Sequence, residues 1–361
     1  MSGLKGKLES IQKKAKERTV KTQTIEYDLE TLVKKIDRKT IKLNPEYQRR
    51  HRWSDGVSSR LIESLILNIP VPFIYISQDI DVDEEVDEDV SRYSVIDGQQ
   101  RLTAIHSFLR NDYALNGLEV LTDLNDSFYR DLPPFLIRRL EERTIRCLRI
   151  DSTVDSQVKY DIFERLNSGS VKLEPQELRN ATCRGPFKKI IKKLSKNNEF
   201  KELCYLDKKD SKRVQKMEDE ELVLRFFSLA YNEGYKDYKG EFKKFLTEKM
   251  ELFNKVDKEE LAKMEEFFLS TFKYIKASGE KLPFSKYRSV DNALHRMSKF
   301  NAAVFDSIVV PISLSGEKKN LDIKKFRELF HDKDFFSSVE GSVTDGGKLT
   351  TRIQKGMEVI S

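Results

Sequence analysis

The stretch "SVIDGQQRLTAI", residues 94–105, decides how the chain is read. Ser94 to Ile96 has the character of a strand. Asp97 and Gly98 make a turn. From Gln99 onward, Leu102, Ile105 and Leu109 recur at helical spacing. The stretch therefore predicts a strand passing straight into a helix, with an acid, a glycine, two glutamines and an arginine at the junction. A helix N-terminus leaves backbone N–H groups unpaired and carries partial positive charge. Gly98 removes the side chain that would block close approach, Gln99 and Gln100 add amide donors, and Arg101 adds a fork suited to phosphate. That is the composition of an anion cradle. A plainer reading of the same residues makes Asp97 the helix N-cap and Arg101 a surface charge.

Working outward, "EYDLETLVKKI" (26–36) reads as a short amphipathic helix, and "IKLNPEYQRRHRW" as extended chain, because Pro45 biases Asn44 away from helix. Leu61, Ile62, Leu65, Ile66 and Ile69 predict a helix that Pro70 and Pro72 end. "FIYIS" (73–77), "YSVID" (93–97) and "TIRCLRI" (144–150) read as strands. "DSQVKYDIFERLN" reads as a helix, then "SGS" as a turn, and Pro175 opens a further helix at "EPQELRNA". Residues 26–185 thus alternate strands and helices, whereas 186–361 read as helical almost throughout, "VDNALHRMSKFNAAVFDSIV" included. The fold class expected is α+β, an N-terminal mixed domain followed by an all-helical C-terminal domain, with residues 1–25 as a basic arm.

The 361 residues suit two domains. Lys+Arg 66 against Asp+Glu 60 gives +6, too mild a balance to imply nucleic acid by itself. Its distribution says more: residues 1–25 carry seven Lys/Arg and two acids, and residues 79–89 carry eight acids and no base. Cys147, Cys183 and Cys204 form no Cys-x-x-Cys or Cys/His pair, which argues against zinc and suits a reducing, cytoplasmic setting. There is no apolar leader and no apolar run long enough for a membrane span.

Two more polar clusters flank core elements. "PEYQRRHRW" offers Gln48, Arg49 and the only tryptophan, Trp53; "FERLNSGSVKLEPQELRNA" offers Asn167 at a helix end, a Ser168–Gly169 turn and Arg179 beyond it. Together with "VIDGQQRLTAI" these segments carry a resemblance. The chain resembles the large bacterial family named for the N-terminal (GmrS-like) domain of the GmrSD type IV restriction enzymes, whose hallmarks are a PxYQR…W segment, a (V/I)DGQQR turn and an FxRLNxG segment. The likeness spans roughly residues 26–185.

The resemblance implies a ParB/sulfiredoxin-like fold and a nucleotide-binding, NTP-hydrolysing, magnesium-dependent activity in restriction or phage defence. By it, Gly98, Gln99, Gln100 and Arg101 bind nucleotide phosphates, with Gln48, Arg49 and Asn167 completing the site. Asp97, Gln100 and Arg101 are the catalytic candidates, and Asp97 and Asn167 the ligands for Mg2+. The chain departs from the family where Ser170 replaces a second glycine. It also lacks an HNH-like cluster, since His51, His106, His295 and His331 are scattered, so a separate effector nuclease becomes a candidate partner.

Two other readings stand beside this one: a DNA nuclease or nickase built on the same polar residues, and a non-enzymatic DNA-binding adaptor. For the latter, "FKKIIKKLSK" places Lys188, Lys189, Lys192, Lys193 and Lys196 in one stretch, four of them at helical spacing.

Overall fold

The structure, a computed structural model, describes residues 20–43, 53–78, 92–151, 174–183, 185–208, 211–315 and 322–360, with five residues between 158 and 165. The chain divides into two compact units, 1–172 and 173–361.

The first unit is built on a five-stranded sheet in the order β1-β5-β3-β4-β2, from β1 (Thr22–Asp28), β2 (Ile41–Lys42), β3 (Ile74–Gln78), β4 (Tyr93–Asp97) and β5 (Thr144–Ile150). β5 runs antiparallel to β1 and parallel to β3. β4 runs antiparallel to β3 and parallel to β2. Tyr75 faces Asp97 while Ile76 faces Val95, so Ile96 is an extra residue on β4. The resulting bulge stands directly before the junction read from the sequence, where a bulge re-aims the side chain that follows it.

Helices α1 (Leu29–Asp37), α2 (Asp55–Ile66), α3 (Gln99–Leu109) and α4 (Pro134–Glu141) share one core with the sheet. Leu29 and Leu32 of α1, Ile62 and Leu65 of α2, Leu102, Ile105 and Phe108 of α3 and Leu140 of α4 are all fully buried. The expected helix at 26–36 begins at Leu29 instead. Asp28 caps it, accepting from the Thr31 N–H at 2.6 Å, and residues before the cap are extended and pair with β5. The last four residues of the expected arm, Thr22–Ile25, accordingly belong to β1; residues 1–19 lie outside the described ones. Asp37 at the end of α1 meets His106 (2.9 Å) and Arg110 from α3, which fixes that histidine as a helix tie.

Among its described residues, the second unit is helical apart from one hairpin. Its helices include α5 (Pro175–Thr182), α6 (Pro186–Leu194), α7 (Glu218–Ala230), α8 (Phe242–Phe253) and α9 (Lys258–Ala277). After them come β6 (Lys286–Val290) and β7 (Ala293–Ser298), then α10 (Ala302–Ser315), α11 (Lys333–Ser338) and α12 (Gly346–Ile360). Phenylalanines fill the core: Phe226, Phe227, Phe268 and Phe272 pack ring to ring with centroids 4.4–5.8 Å apart. Asp306 on α10 is fully buried between two arginines. Arg225 of α7 grips both its oxygens at 2.6 Å, and Arg352 of α12 reaches Oδ2 at 2.6 Å.

The helix expected over 290–309 is a correction. Asp291 and Asn292 take φ of 50° and 61°, and the chain turns back on itself between β6 and β7 before α10 begins. Two left-handed residues in a row make a tight hairpin turn, which Asp and Asn tolerate. The boundary expected at 185/186 differs from the packing division. α5 goes with the second unit because Arg179 bonds Glu221 (2.8 Å) and Asn180 bonds Glu220 (2.6 Å), both on the first turn of α7.

Candidate phosphate-binding site

β4 ends at Asp97 and α3 begins at Gln99, so a single residue turns the chain. Gly98 sits at φ 92°, in the left-handed region, and a Cβ there would run into Ile74 Cδ1 and lie 3.1 Å from the Arg101 guanidinium. The left-handed φ calls for glycine, and any larger residue would also have to push the Ile74 and Arg101 side-chain ends aside. Gly98 is itself the N-cap and no side chain caps the helix, which corrects the plainer reading of Asp97. The first intrahelical bond runs from the Leu102 N–H to the Gly98 carbonyl at 2.9 Å. The N–H groups of Gln99, Gln100 and Arg101 therefore precede the helical ladder, at the positive end of an eleven-residue helix.

Arg101 is no surface charge. Its side chain is 12% exposed, with Nη2 donating to Asp97 Oδ2 at 2.9 Å and Nη1 to the Pro72 carbonyl. The guanidinium is folded back over the ends of β3 and β4. Burial pulls its pKa below the ordinary arginine value, and the Asp97 carboxylate offsets part of that. Asp97 is 36% exposed, so it is the member of the pair that solvent reaches. Gln100 turns its Oε1 to the Trp53 N–H at 3.2 Å, which ties the chain entering α2 to the first turn of α3. Gln99 is buried.

The structure thus brings together Asp97, Gly98, Gln99, Gln100 and Arg101. Gln48, Arg49 and Asn167 lie outside the described residues. Sequence reasoning missed the Pro72 carbonyl, the Trp53 N–H and Tyr75, which faces Asp97 across the sheet. These are long-range pairings that local spacing does not encode. Arg179 goes elsewhere: buried on α5, it bonds Gln176 and Glu221 and braces the helical unit. Cys147, in β5, is buried with its thiol pushed up to about 12, which makes it a core residue and not a nucleophile.

For a metal ion, no group of three or more His, Cys, Asp or Glu side chains converges among the described residues. At this junction the donor set is one carboxylate already engaged by Arg101. Such a set fits a magnesium ion only when phosphate oxygens and water supply the other ligands.

Of the five lysines read as a possible DNA contact, Lys189 and Lys193 are exposed on α6. Lys188 turns back to the Asn180 carbonyl, Lys193 pairs with Glu265, and Lys196 lies beyond the helix end at Leu194. No helix among the described residues is long and apolar enough to cross a membrane.

A mixed five-stranded sheet whose fourth strand passes through a single glycine into a helix, beside a buried arginine, defines the first unit as an α+β domain. Residues 29–184 match the family described as "GmrSD restriction endonuclease, N-terminal domain". No curated protein and no solved structure matches the chain.

Proposed function

We propose that the first unit binds a nucleoside triphosphate at the Asp97–Arg101 junction and hydrolyses it, as the nucleotide-dependent part of a restriction or phage-defence system. The family's description, a restriction endonuclease N-terminal domain, supports the setting. The observation that carries the nucleotide reading is the junction itself: Gly98, left-handed and bare, begins α3 without a side-chain cap, beside a guanidinium held 2.9 Å from Asp97.

Binding is then an exchange of partners. An incoming phosphate meets the N–H groups of Gln99, Gln100 and Arg101. It competes with the Asp97 carboxylate for the guanidinium, which forms two parallel bonds with phosphate oxygens. Asp97, relieved of its arginine, is the carboxylate free to orient a water. That water's oxygen attacks the terminal phosphorus, the bond to the bridging oxygen breaks, and the water's proton passes toward Asp97. Gln100 stays pinned to Trp53 and holds the first turn in place, while Arg101 balances charge on the transferring group. Magnesium, carried in on the phosphates with Asp97 as its protein ligand, would neutralise phosphate charge.

Nucleotide binding and phosphate release, with magnesium and with chelator, test this on Asp97→Asn. The variant keeps the hydrogen-bonding shape but removes the charge. Retained binding with at least a hundredfold slower turnover is the expected outcome, on the scale typical of a lost general base. Unchanged turnover would remove Asp97 from the reaction.

A further inference from the structure

The β6–β7 hairpin of the second unit is a sheet of only two strands. β6 is its inner strand: Lys286 and Tyr287 are buried, and the Tyr287 ring packs on Phe330 with centroids 5.6 Å apart. β7 is the outer strand, with Ala293, His295, Arg296 and Met297 exposed and its far edge unpaired among the described residues. Residues 286–299 carry four Lys/Arg against one acid, Asp291, at the turn. Arg288 stands directly opposite His295 across the ladder, and Arg296 opposite Tyr287. Met297 is an extra residue on β7, between the pairs Tyr287–Arg296 and Lys286–Ser298. That bulge adds twist to an already exposed ribbon.

At the base of the ribbon lies a cavity of about 520 Å³, lined by Arg288, Ser289, Phe330, His331, Lys333 and Lys348 among others. The carboxylates in its wall take cations of the same surface: Asp332 pairs with Lys355 at 2.9 Å, and Glu340 with Lys286 at 3.4 Å and Arg288 at 3.5 Å, while Lys348 donates to the Glu340 carbonyl at 2.7 Å and keeps its charge. The positive charge left facing outward is that of Arg296 and Lys299 on the ribbon and of Lys333 and Lys348 on the shelf beside it.

We infer that this ribbon and shelf are a duplex-DNA contact, with β7 entering the major groove and Lys333 and Lys348 meeting the phosphates beside it. The partner follows from shape and charge together. A surface left with a surplus of exposed cations, Arg296, Lys299 and Lys333, fits a polyanion. The major groove of B-form DNA is about 12 Å wide and admits a two-stranded ribbon, whereas the deep, narrow major groove of A-form RNA does not. Edge strands left bare invite pairing with other chains, and exposed Arg and His on β7 discourage that. The contact uses none of the residues of the phosphate site and holds whether or not nucleotide is hydrolysed.

The test is fluorescence anisotropy of the full chain on a labelled DNA duplex of about 20 base pairs across a salt series, for wild type, Arg296→Glu and Arg296→Glu with Lys333→Glu. Wild-type affinity should fall steeply with salt. The double variant should bind at least about tenfold more weakly, with the log–log salt slope shallower by about 2, roughly one unit for each phosphate that is no longer neutralised. Both positions are exposed, and Arg296→Gln, which removes charge without reversing it, should show the same loss in smaller measure. A wild type that does not bind the duplex overturns the inference. So do equal affinity and slope in the double variant, or an RNA duplex of the same sequence bound as tightly.

Discussion

At the scale of single residues, the junction rests on Gly98. Its φ of 92° costs any other residue about 1–2 kcal/mol, and the displaced Ile74 methyl adds to that. Gly98→Ala should lower stability by about 2–3 kcal/mol in denaturant unfolding; a loss under about 0.5 kcal/mol would mean that the turn is not fixed as described. Glu63 is a second residue of this kind. Buried on α2, its carboxylate accepts the N–H groups of Glu119, Val120 and Leu121 at 3.2, 2.7 and 2.7 Å, closing the loop after α3. Burial alone would raise its pKa, but the three backbone donors outweigh it and the pKa is lowered. A depressed carboxylate contributes stability that is present above its unfolded pKa of about 4.3 and is lost as pH falls through the lower folded value. Glu63→Gln should cost about 2 kcal/mol at pH 7 and progressively less toward acid, read from thermal unfolding midpoints across pH; a cost that does not vary with pH would assign the loop's closure to shape instead of charge.

Elements show what sequence could and could not foretell. β3, β4, β5, α3 and α5 were legible because each is a local pattern: an apolar run or alternation, a 3.6-residue stripe, a proline at the first turn. β1 was read as arm and helix because its seven residues, TQTIEYD, have few apolar positions and lie mostly exposed, held as a strand by pairing with β5 about 120 residues on. The β6–β7 hairpin was hidden in the same way. Leu294 and Met297 stand at helical spacing, and only the Asp291–Asn292 turn betrays the reversal. At the Asp97–Arg101 junction the five residue types were legible. The folding back of Arg101 onto Asp97 and the Pro72 carbonyl was not, since Pro72 lies 29 residues upstream. Element termini also carry a prediction. α7 opens with Glu218, Asp219, Glu220 and Glu221, and burial beside Glu220 raises Asp219 to about 6. A carboxylate with a raised folded pKa binds a proton more tightly in the native state, so its contribution falls as pH rises from its unfolded value of about 3.9 to about 6. Asp219→Asn should therefore stabilise the second unit by about 1–2 kcal/mol at pH 7 and have little effect below pH of about 4. A destabilising effect at pH 7 would show that the charged form is needed by the α5–α7 clamp.

On the scale of the whole molecule, the chain couples a small mixed sheet domain, which matches a family tied by name to restriction, with a helical unit braced on a buried aspartate between two arginines. Each unit closes its own core, and each carries one surface that core packing does not account for: the open helix terminus after Gly98, and the cationic hairpin. The central claim is that the first of these grips nucleotide phosphate through Arg101. The most direct test is binding and phosphate release, with magnesium, across the four ribonucleoside triphosphates, for wild type, Arg101→Ala and Arg101→Lys. Wild type should bind and turn over at least one of them. Arg101→Ala should lose both while keeping its fold by circular dichroism, and Arg101→Lys, a point charge without the fork, should restore binding only in part. If wild type binds none of the four, or if Arg101→Ala binds as wild type does, the nucleotide account of the junction is wrong.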